Sequence, residues 1–219
     1  MIPYILAGLG VYGLDLLLRV IKTRFCKATL RPLPELGVTR IKVPQINAGW
    51  RAGQHVRVRI LSSGMGWWGW TEVHPFTIAS ISGGNEGLVL MCKKTGKWTN
   101  RLYEIAKARG YVEAEMGRKV TLMVEGPYGT FKSALSRFYL FCFEGGPGHA
   151  IFASYSAAVF IAGGIGITFA ISAIREIIQK DLEGTSRVKV IELIWMVQDP
   201  RKYIIFCPLN PAKFFHQNP

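Results

Sequence analysis

The first apolar segment of the chain is long and almost uninterrupted. Residues 2–18 carry one charged side chain, Asp15, and the run extended to Ile21 reaches the roughly 20 residues that a membrane-spanning helix needs. Lys and Arg are absent before Arg19 and frequent after it, so the positive-inside rule places the following residues on the cytosolic side. A core or amphipathic helix is the alternative. We expect Asp15 to pair with Arg19, one helical turn later.

Alternating apolar and polar positions predict a set of short strands after this helix. In the clearest run, 53–60, Val56, Val58 and Ile60 would face a core. The alternate residues His55, Arg57 and Arg59 would face out. Several short strands with a single helix are typical of a small antiparallel barrel. The proline-containing segment 30–34 is interpreted as a linker before it. The other predicted elements are strands at 39–43, 88–91 and 120–124 and a helix at 100–109 that ends at Gly110.

A different pattern begins near residue 157. Residues 157–162 are wholly apolar, as a strand buried in a parallel sheet requires. A glycine-rich loop follows, then a helix over 168–182 that Gly184 ends, then a strand over 188–197. This order predicts the start of an α/β domain with a parallel sheet. Two recognisable strands are too few to cover both faces of the helix and bury its isoleucines.

The composition agrees with a membrane-embedded segment and a basic surface. The 219 residues are 49% hydrophobic, the mean hydropathy is +0.21 and the formal net charge is +13. Such a charge permits nucleic acid, anionic lipid or a phosphate-rich cofactor as partner. Ten basic residues against one acid lie between Arg19 and Arg59, so a membrane-facing surface is favoured and no nucleic-acid partner is expected. The four cysteines are far apart, which argues against a zinc site, and no metal-ligating residues are predicted.

The loop before the second predicted helix has the chemistry of a pyrophosphate site. Its glycines, Gly163, Gly164 and Gly166, let phosphates approach the backbone, and the helix start offers N–H groups and a positive dipole. Thr168 would donate a hydroxyl or cap the helix. The spacing departs from G-x-G-x-x-G at Phe169, and glycine-rich turns also occur without ligands.

Two further motifs offer groups that suit a flat heterocycle joined to phosphate. In H-P-F-T-I-A-S, residues 74–80, Phe76 can stack on a ring and Thr77 can hydrogen-bond to its edge. Each of them alone would also suit an ordinary core or surface position. K-T-G-K-W-T, residues 94–99, stands at a strand-to-helix junction where backbone N–H groups can bind an anion. The loop 62–70 carries three tryptophans, which suit either a lipid interface or ordinary packing.

In this order, and with G-P-Y-G at 126–129, the motifs resemble the flavin and nicotinamide sites of the ferric reductase and NADPH oxidase family. The form H-P-F-T-I-A-S is most similar to the fungal ferric-chelate reductases. The resemblance implies that the first motif contacts FAD, the second its pyrophosphate, and that G-P-Y-G is a hinge between domains. The site residues that it implies are His74, Pro75, Phe76, Thr77, Trp98, Thr99 and Gly126 for the flavin, and Gly163, Gly164, Gly166 and Thr168 for NADPH.

The resemblance also implies an organisation and a reaction. We expect an N-terminal transmembrane helix at 1–22, an antiparallel β-barrel FAD-binding domain at 35–129, an insertion at 130–145 and a truncated α/β nicotinamide-binding domain at 146–219. Electrons would pass from NADPH through FAD toward haem and a ferric chelate, with the flavin domain on the cytosolic side of the plasma membrane.

The ends of the chain leave two alternatives open. The family's paired haem-binding histidines and its C-terminal C-G-P motif are not found in this sequence, so the chain is interpreted as a fragment, with haem only on upstream helices. The alternatives are an NADPH oxidase that uses oxygen as acceptor and a catalytically dead, membrane-tethered remnant.

Overall fold

The computed structural model describes residues 2–108, 117–129 and 152–196. The predicted insertion at 130–145 lies outside these residues. In chain order the elements are α1 (Ile2–Ile21), β1 (Thr23–Leu33), β2 (Val38–Val43), β3 (His55–Leu61), β4 (His74–Thr77), β5 (Leu88–Lys93), α2 (Lys97–Lys107), β6 (Arg118–Tyr128), β7 (Ala157–Gly163), α3 (Ile167–Leu182) and β8 (Val190–Met196).

Among the described strands, β1 to β6 form one antiparallel sheet in the order β4-β3-β6-β1-β2-β5. The two edge strands meet where Ile78, just after β4, forms a bridge with Leu90 of β5. The sheet therefore curls into a nearly closed barrel, as the sequence predicts, and α2 packs against β1 and β2.

The barrel core follows the alternation read from the sequence. Val56, Val58 and Ile60 of β3 are each no more than 2% exposed, because they point inward while their neighbours point outward. Helix α2 buries Leu102 and Ile105 as predicted, and they complete the same core. The helix end predicted at Gly110 lies outside the described residues.

Strand β1 corrects the sequence interpretation. The segment 30–34 is not a linker, because Thr23–Leu33 is a strand between β6 and β2 and belongs to the barrel sheet. Cys26, Ala28 and Leu30 alternate as its buried residues. A single residue, Lys22, separates α1 from this strand.

Helix α1 is exposed along its length. Residues Pro3–Ile21 are long and apolar enough to cross a membrane, and none of that span is buried within the described part of the protein. The predicted ion pair is confirmed, because Arg19 Nε donates to Asp15 Oδ2 at 2.8 Å. The hydroxyl of Thr23, the first residue of β1, donates to the Arg19 carbonyl at 2.8 Å and fixes the end of the helix.

The strand–loop–helix–strand order predicted for the second half is confirmed by β7, α3 and β8. The two strands pair in parallel, and Gly184 follows the helix with a φ of +70°, which favours glycine. The prediction that 157–162 is buried throughout is wrong. Val159 and Ile161 are 57% and 64% exposed, because among the described residues α3 covers only one face of this sheet.

Helix α3 buries its isoleucines in part against the barrel. Ile171, Ile174 and Ile177 are each at most 8% exposed. They belong to one apolar cluster with Leu36 and Ala52 of the barrel. The expectation that these isoleucines lack enough cover is therefore wrong, and the two units share a hydrophobic core.

Candidate functional site

Strand β4 turns its alternate side chains toward two different surroundings. The pairing with β3 places His74 and Phe76 opposite two buried valines, so both share the inner face of the sheet. Pro75 and Thr77 consequently lie on the outer face. Phe76 packs against the barrel core but stays partly accessible. Phe76 and Thr77, the two residues predicted to contact the flavin ring, therefore lie on opposite faces of β4.

Three aromatic rings converge at the start of α2. The centroid of the Trp98 ring lies 4.3 Å from that of His74 and 5.9 Å from that of Phe76. The planes of the Trp98 and Phe76 rings are 27° apart. Trp98 is 5% exposed, and its buried Nε1 has no hydrogen-bond partner among the described residues. The accessible rings of the cluster are therefore those of His74 and Phe76, and Trp98 supports both.

The turn before α2 is organised by Thr99. Its Oγ1 accepts hydrogen bonds from the N–H of Gly96 at 2.9 Å and from that of Thr95 at 3.1 Å. The Thr99 hydroxyl is thus used within the protein. The N–H groups of the first turn, which begins at Lys97, lack intrahelical partners as in any α-helix, and with the helix dipole they can bind an anion next to Trp98.

Thr77 lies at one end of a row that crosses three strands. It pairs with His55 of β3, and His55 pairs with Tyr128 of β6. The His55 and Tyr128 ring centroids are 6.0 Å apart. Burial, and then the Arg57 charge, lower the pKa of His55, so the neutral imidazole is favoured. Sequence reasoning marked His55 as outward-facing but did not connect it with the 74–80 motif, because their pairing is set by the sheet register.

Tyr128 is the centre of a polar cluster where α1 meets the barrel. Its hydroxyl donates to the Glu125 carboxylate, and Lys22 Nζ and Arg57 Cζ lie 5.6 and 5.4 Å from its ring centroid. Burial raises the pKa of Tyr128 to about 12, with the hydrogen bond and charge of Glu125 acting in the same direction. The sequence reasoning assigned no role to these four residues beyond the motif that contains Tyr128.

Gly126 serves this cluster through its backbone. Its φ is +124°, and a Cβ there would lie 3.0 Å from the Tyr128 ring. Gly126 belongs to β6, which continues to Tyr128. The first three residues of the G-P-Y-G motif are therefore the end of a strand. Gly126 thus shapes the end of β6.

The glycine-rich loop is open, as a phosphate site requires. Strand β7 ends at Gly163, a 3₁₀ turn covers Gly164–Gly166, and α3 begins at Ile167. A Cβ at Gly163, Gly164 or Gly166 would meet no heavy atom within 4 Å. Only Gly164, with a φ of +51°, has a conformation that favours glycine, so the other two leave room rather than relieve strain.

Thr168 and Trp195 stabilise this loop from within. The Thr168 hydroxyl donates to the Ile165 carbonyl at 3.1 Å, and the residue is 6% exposed. Thr168 does not cap the helix, because Gly166 occupies the N-cap position. Trp195 of β8, which sequence reasoning missed, donates from Nε1 to the Gly164 carbonyl at 3.0 Å.

Comparison with known families assigns both halves of the chain. Residues 23–132, half of the chain, match the model of an FAD-binding domain, and residues 155–211 match that of the ferric reductase NAD binding domain. The chain belongs to the ferric reductase and NADPH oxidase family. In this chain, the barrel is the flavin-binding unit, and the β7–α3–β8 unit belongs to the nicotinamide-binding part.

Two named relatives agree with this assignment. The chain is 27% identical to "Ferric reduction oxidase 8, mitochondrial" of Arabidopsis thaliana, over 94% of this chain and 26% of that protein. It is 28% identical to "Dual oxidase 2" of Homo sapiens, over 91% of this chain and 12% of that protein. The chain thus spans about a quarter or less of the length of these curated relatives.

The fold is shared with a ferredoxin NADP+ reductase from Neisseria gonorrhoeae, solved with bound FAD and NADP. The TM-score is 0.55 at 14% identity, and the match covers 84% of this chain and 61% of that one. The resemblance at this identity concerns the fold, and it supports a barrel followed by an α/β unit.

The residues at β4 and α2 fit a flavin nucleotide. His74 and Phe76 offer accessible ring surface, and the N-terminal turn of α2 offers N–H donors beside them. The open glycine loop at β7 fits the phosphates of a second nucleotide. The two candidate sites lie in units that share one core.

Proposed function

We propose that this chain binds FAD across β4 and the start of α2, binds NADPH at the β7–α3 loop, and passes electrons toward haem and ferric iron as part of a membrane ferric-chelate reductase. The observation that carries the proposal is the convergence of His74, Phe76 and Trp98 beside the N-terminus of α2, in a barrel that shares its core with α3.

The barrel residues would hold the flavin in distinct ways. Phe76 and His74 provide stacking surface on the inner face of β4, and Pro75 shapes that strand. Thr77 offers a hydroxyl on the outer face, and the α2 turn held by Thr99 binds the diphosphate. Bound FAD would supply the exchange between two-electron hydride transfer and single-electron transfer.

The α/β unit would hold the nicotinamide nucleotide. The backbone at Gly163, Gly164 and Gly166 leaves space for phosphate, and the dipole of α3 favours its negative charge. Thr168 and Trp195 fix the loop rather than contact the ligand, since both donate to loop carbonyls. NADPH rather than NADH is proposed from the family resemblance.

Helix α1 would anchor the molecule in the plasma membrane with the barrel in the cytosol. Its exposed apolar surface and the basic residues that follow it support this orientation. Haem would be held by helices outside this chain. A second candidate acceptor is dioxygen, because the similarity to the human dual oxidase extends over 91% of the chain.

The test is stepwise reduction of the full chain in detergent. We expect the chain to take up FAD, dithionite to bleach it fully, and NADPH to bleach it in a manner that Gly164→Val prevents. These steps test the entry of electrons from NADPH into FAD, because the proposal places the haem that leads to the acceptor outside this chain. Flavin uptake with no NADPH bleaching would favour the catalytically dead remnant, and absence of flavin uptake would refute the proposal.

A further inference from the structure

Two arginines of β3 lie on the outer face of the barrel near α1. Arg57 and Arg59 flank the fully buried Val58, so both side chains point away from the core. Arg57 stands in one row with Glu125 of β6 and Thr23 of β1, and Thr23 is the second residue after α1. Arg59 is two residues farther along β3, about 7 Å at ordinary strand rise. Both arginines therefore lie at the end of the sheet that joins the helix.

Lys22, between α1 and β1, approaches the same surface through the ring of Tyr128. Its Nζ lies 5.6 Å from the ring centroid, and Arg57 Cζ lies 5.4 Å from the same centroid. The acid of this row, Glu125, is buried, accepts the Tyr128 hydroxyl and has an oxygen 3.9 Å from Arg57 Nη1. Within the described residues, Lys22 and Arg59 form no ion pair. Three cations thus share one carboxylate, and the surface keeps a net positive charge.

Other basic residues in this part of the chain have acidic partners of their own. Arg19 pairs with Asp15 at 2.8 Å, and Arg40 pairs with Glu86 at 2.6 Å. Their charges are balanced within the protein. The surface formed by Lys22, Arg57 and Arg59 is not balanced in this way, which favours an anionic ligand from outside the chain.

The neighbouring helix determines which anions are within reach of this surface. Residues Pro3–Ile21 are long and apolar enough to cross a membrane, and Lys22 follows them without a spacer. Charges interact over about 8 Å at physiological ionic strength, so Lys22 acts on groups at the end of the helix. Lipid headgroups gather at that depth when α1 spans a bilayer. Their phosphates are therefore the anions that the proposed membrane anchor brings to the surface.

We propose that Lys22, Arg57 and Arg59 bind the phosphate of an anionic phospholipid headgroup. This inference rests on the proposed membrane anchor and adds a headgroup preference to it. A guanidinium presents paired N–H donors that match the oxygens of a phosphate, and a lysine ammonium adds a compact charge. A zwitterionic headgroup carries a cation beside its phosphate, so the positive surface selects against it.

The test compares two short-chain lipids that differ in headgroup charge. The full chain in a neutral detergent is titrated with dioctanoyl phosphatidylglycerol and with dioctanoyl phosphatidylcholine, and binding is followed by calorimetry. Because the acyl chains are the same, the difference in affinity reports the headgroup. We expect phosphatidylglycerol to bind about tenfold more tightly, since several basic residues act together on an anionic lipid. High salt should remove most of this difference.

Arg59→Gln is the decisive variant, because no described acidic residue depends on Arg59 for its partner. It should lower the affinity for phosphatidylglycerol about fivefold, the effect of one basic residue at an anionic surface, and leave phosphatidylcholine binding unchanged. Lys22→Gln should show a similar loss, and Arg59→Lys, which keeps the charge, should retain most of the affinity.

Arg31→Gln is the matched control. Arg31 is exposed on β1, about 26 Å along the strand from Thr23, and should be too far from the helix to contribute. This variant should bind both lipids as the unmodified chain does.

The outcomes separate the headgroup site from the membrane anchor. Equal affinities of the unmodified chain for the two lipids, or an unchanged affinity in Arg59→Gln, would overturn the headgroup site while the anchor stands. A loss in Arg31→Gln as large as in Arg59→Gln would show a diffuse effect of charge and overturn it too. Displacement of phosphatidylglycerol by an equal concentration of glycerol 3-phosphate would assign the surface to soluble phosphates instead. Release of the chain from membranes by carbonate would overturn both.

Discussion

The Glu176 carboxylate of α3 accepts a hydrogen bond from the backbone N–H of Ala52, 2.9 Å away in the loop between β2 and β3. Lys180, one turn later on α3, donates to the other carboxylate oxygen at 2.9 Å. This contact joins the two units at the edge of their shared core. It fixes the helix that carries the glycine loop against the barrel that carries β4.

Glu176→Ala should weaken the contact between α3 and the barrel without preventing flavin binding. The Ala52 N–H would lose its charged partner, and we expect a loss of about 1 kcal/mol in the free energy of unfolding. Flavin affinity should be unchanged while NADPH bleaching slows several-fold, measured by stopped-flow absorbance. The control Glu183→Ala removes an exposed carboxylate bonded to Gln179 and should change neither. Unchanged bleaching in Glu176→Ala would contradict the coupling.

The same carboxyl group predicts a pH dependence. Burial alone would raise the pKa of Glu176, but the hydrogen bonds from Lys180 and Ala52, with the Lys180 and Arg51 charges, hold it below its ordinary value of 4.5. A carboxyl group with a lowered pKa stabilises the fold above its ordinary pKa, and this contribution is lost as the pH falls through the lowered value. The unfolding temperature should therefore fall more steeply below pH 4.5 in the unmodified chain than in Glu176→Gln. Equal slopes would refute this.

Phe76→Ala should weaken flavin binding by about tenfold, because it removes stacking surface from the inner face of β4. Phe76→Tyr keeps the ring and should retain most of the affinity. Phe25→Ala is the comparison, since Phe25 is 68% exposed on β1 and belongs to no proposed site. Flavin titration followed by fluorescence measures all three. An equal loss in Phe25→Ala would show a general effect on the barrel.

Thr99→Val should lower the stability of the protein even when no flavin is bound. The valine cannot accept the hydrogen bonds from Thr95 and Gly96, so α2 should lose about 1 kcal/mol of stability, as helix caps do. Thermal unfolding without flavin detects this loss, and Thr99→Ser should show none. A Thr99→Val chain that unfolds normally without flavin yet fails to bind it would instead assign the hydroxyl to the ligand.

Elements with strong local patterns were predictable, and relationships between distant segments were not. Val56, Val58 and Ile60 repeat large branched side chains, so β3 is evident from the sequence. Strand β1 has the same alternation, but its inward residues include the small Cys26 and Ala28, and its basic residues were assigned to the flank of the membrane helix.

The candidate site shows the same limit. The motifs predicted that 74–80 and 94–99 serve one ligand, and the contact between His74 and Trp98 agrees with that reading. The roles of Thr99 and Thr168 within their own turns depend on backbone geometry that no residue pattern records. The Glu176 contact joins residues more than a hundred positions apart, so only the folded chain reveals it.

Helix α1 should retain the chain in membranes. We expect the expressed protein to stay in the pellet after carbonate extraction, because residues Pro3–Ile21 present an apolar surface that no described part of the protein covers. In sealed vesicles with the cytosolic face outward, protease should digest the barrel. Release of the whole chain into the carbonate supernatant would contradict the membrane assignment.

The junction between α1 and β1 contains only Lys22, and the Thr23 hydroxyl binds the last helical turn at Arg19. Helix α1 and the barrel are therefore joined without a flexible spacer. An apolar helix of fixed length tilts to match the thickness of the bilayer around it. A change in tilt would therefore change the angle at which the barrel stands to the membrane surface, without altering any residue of the candidate flavin site.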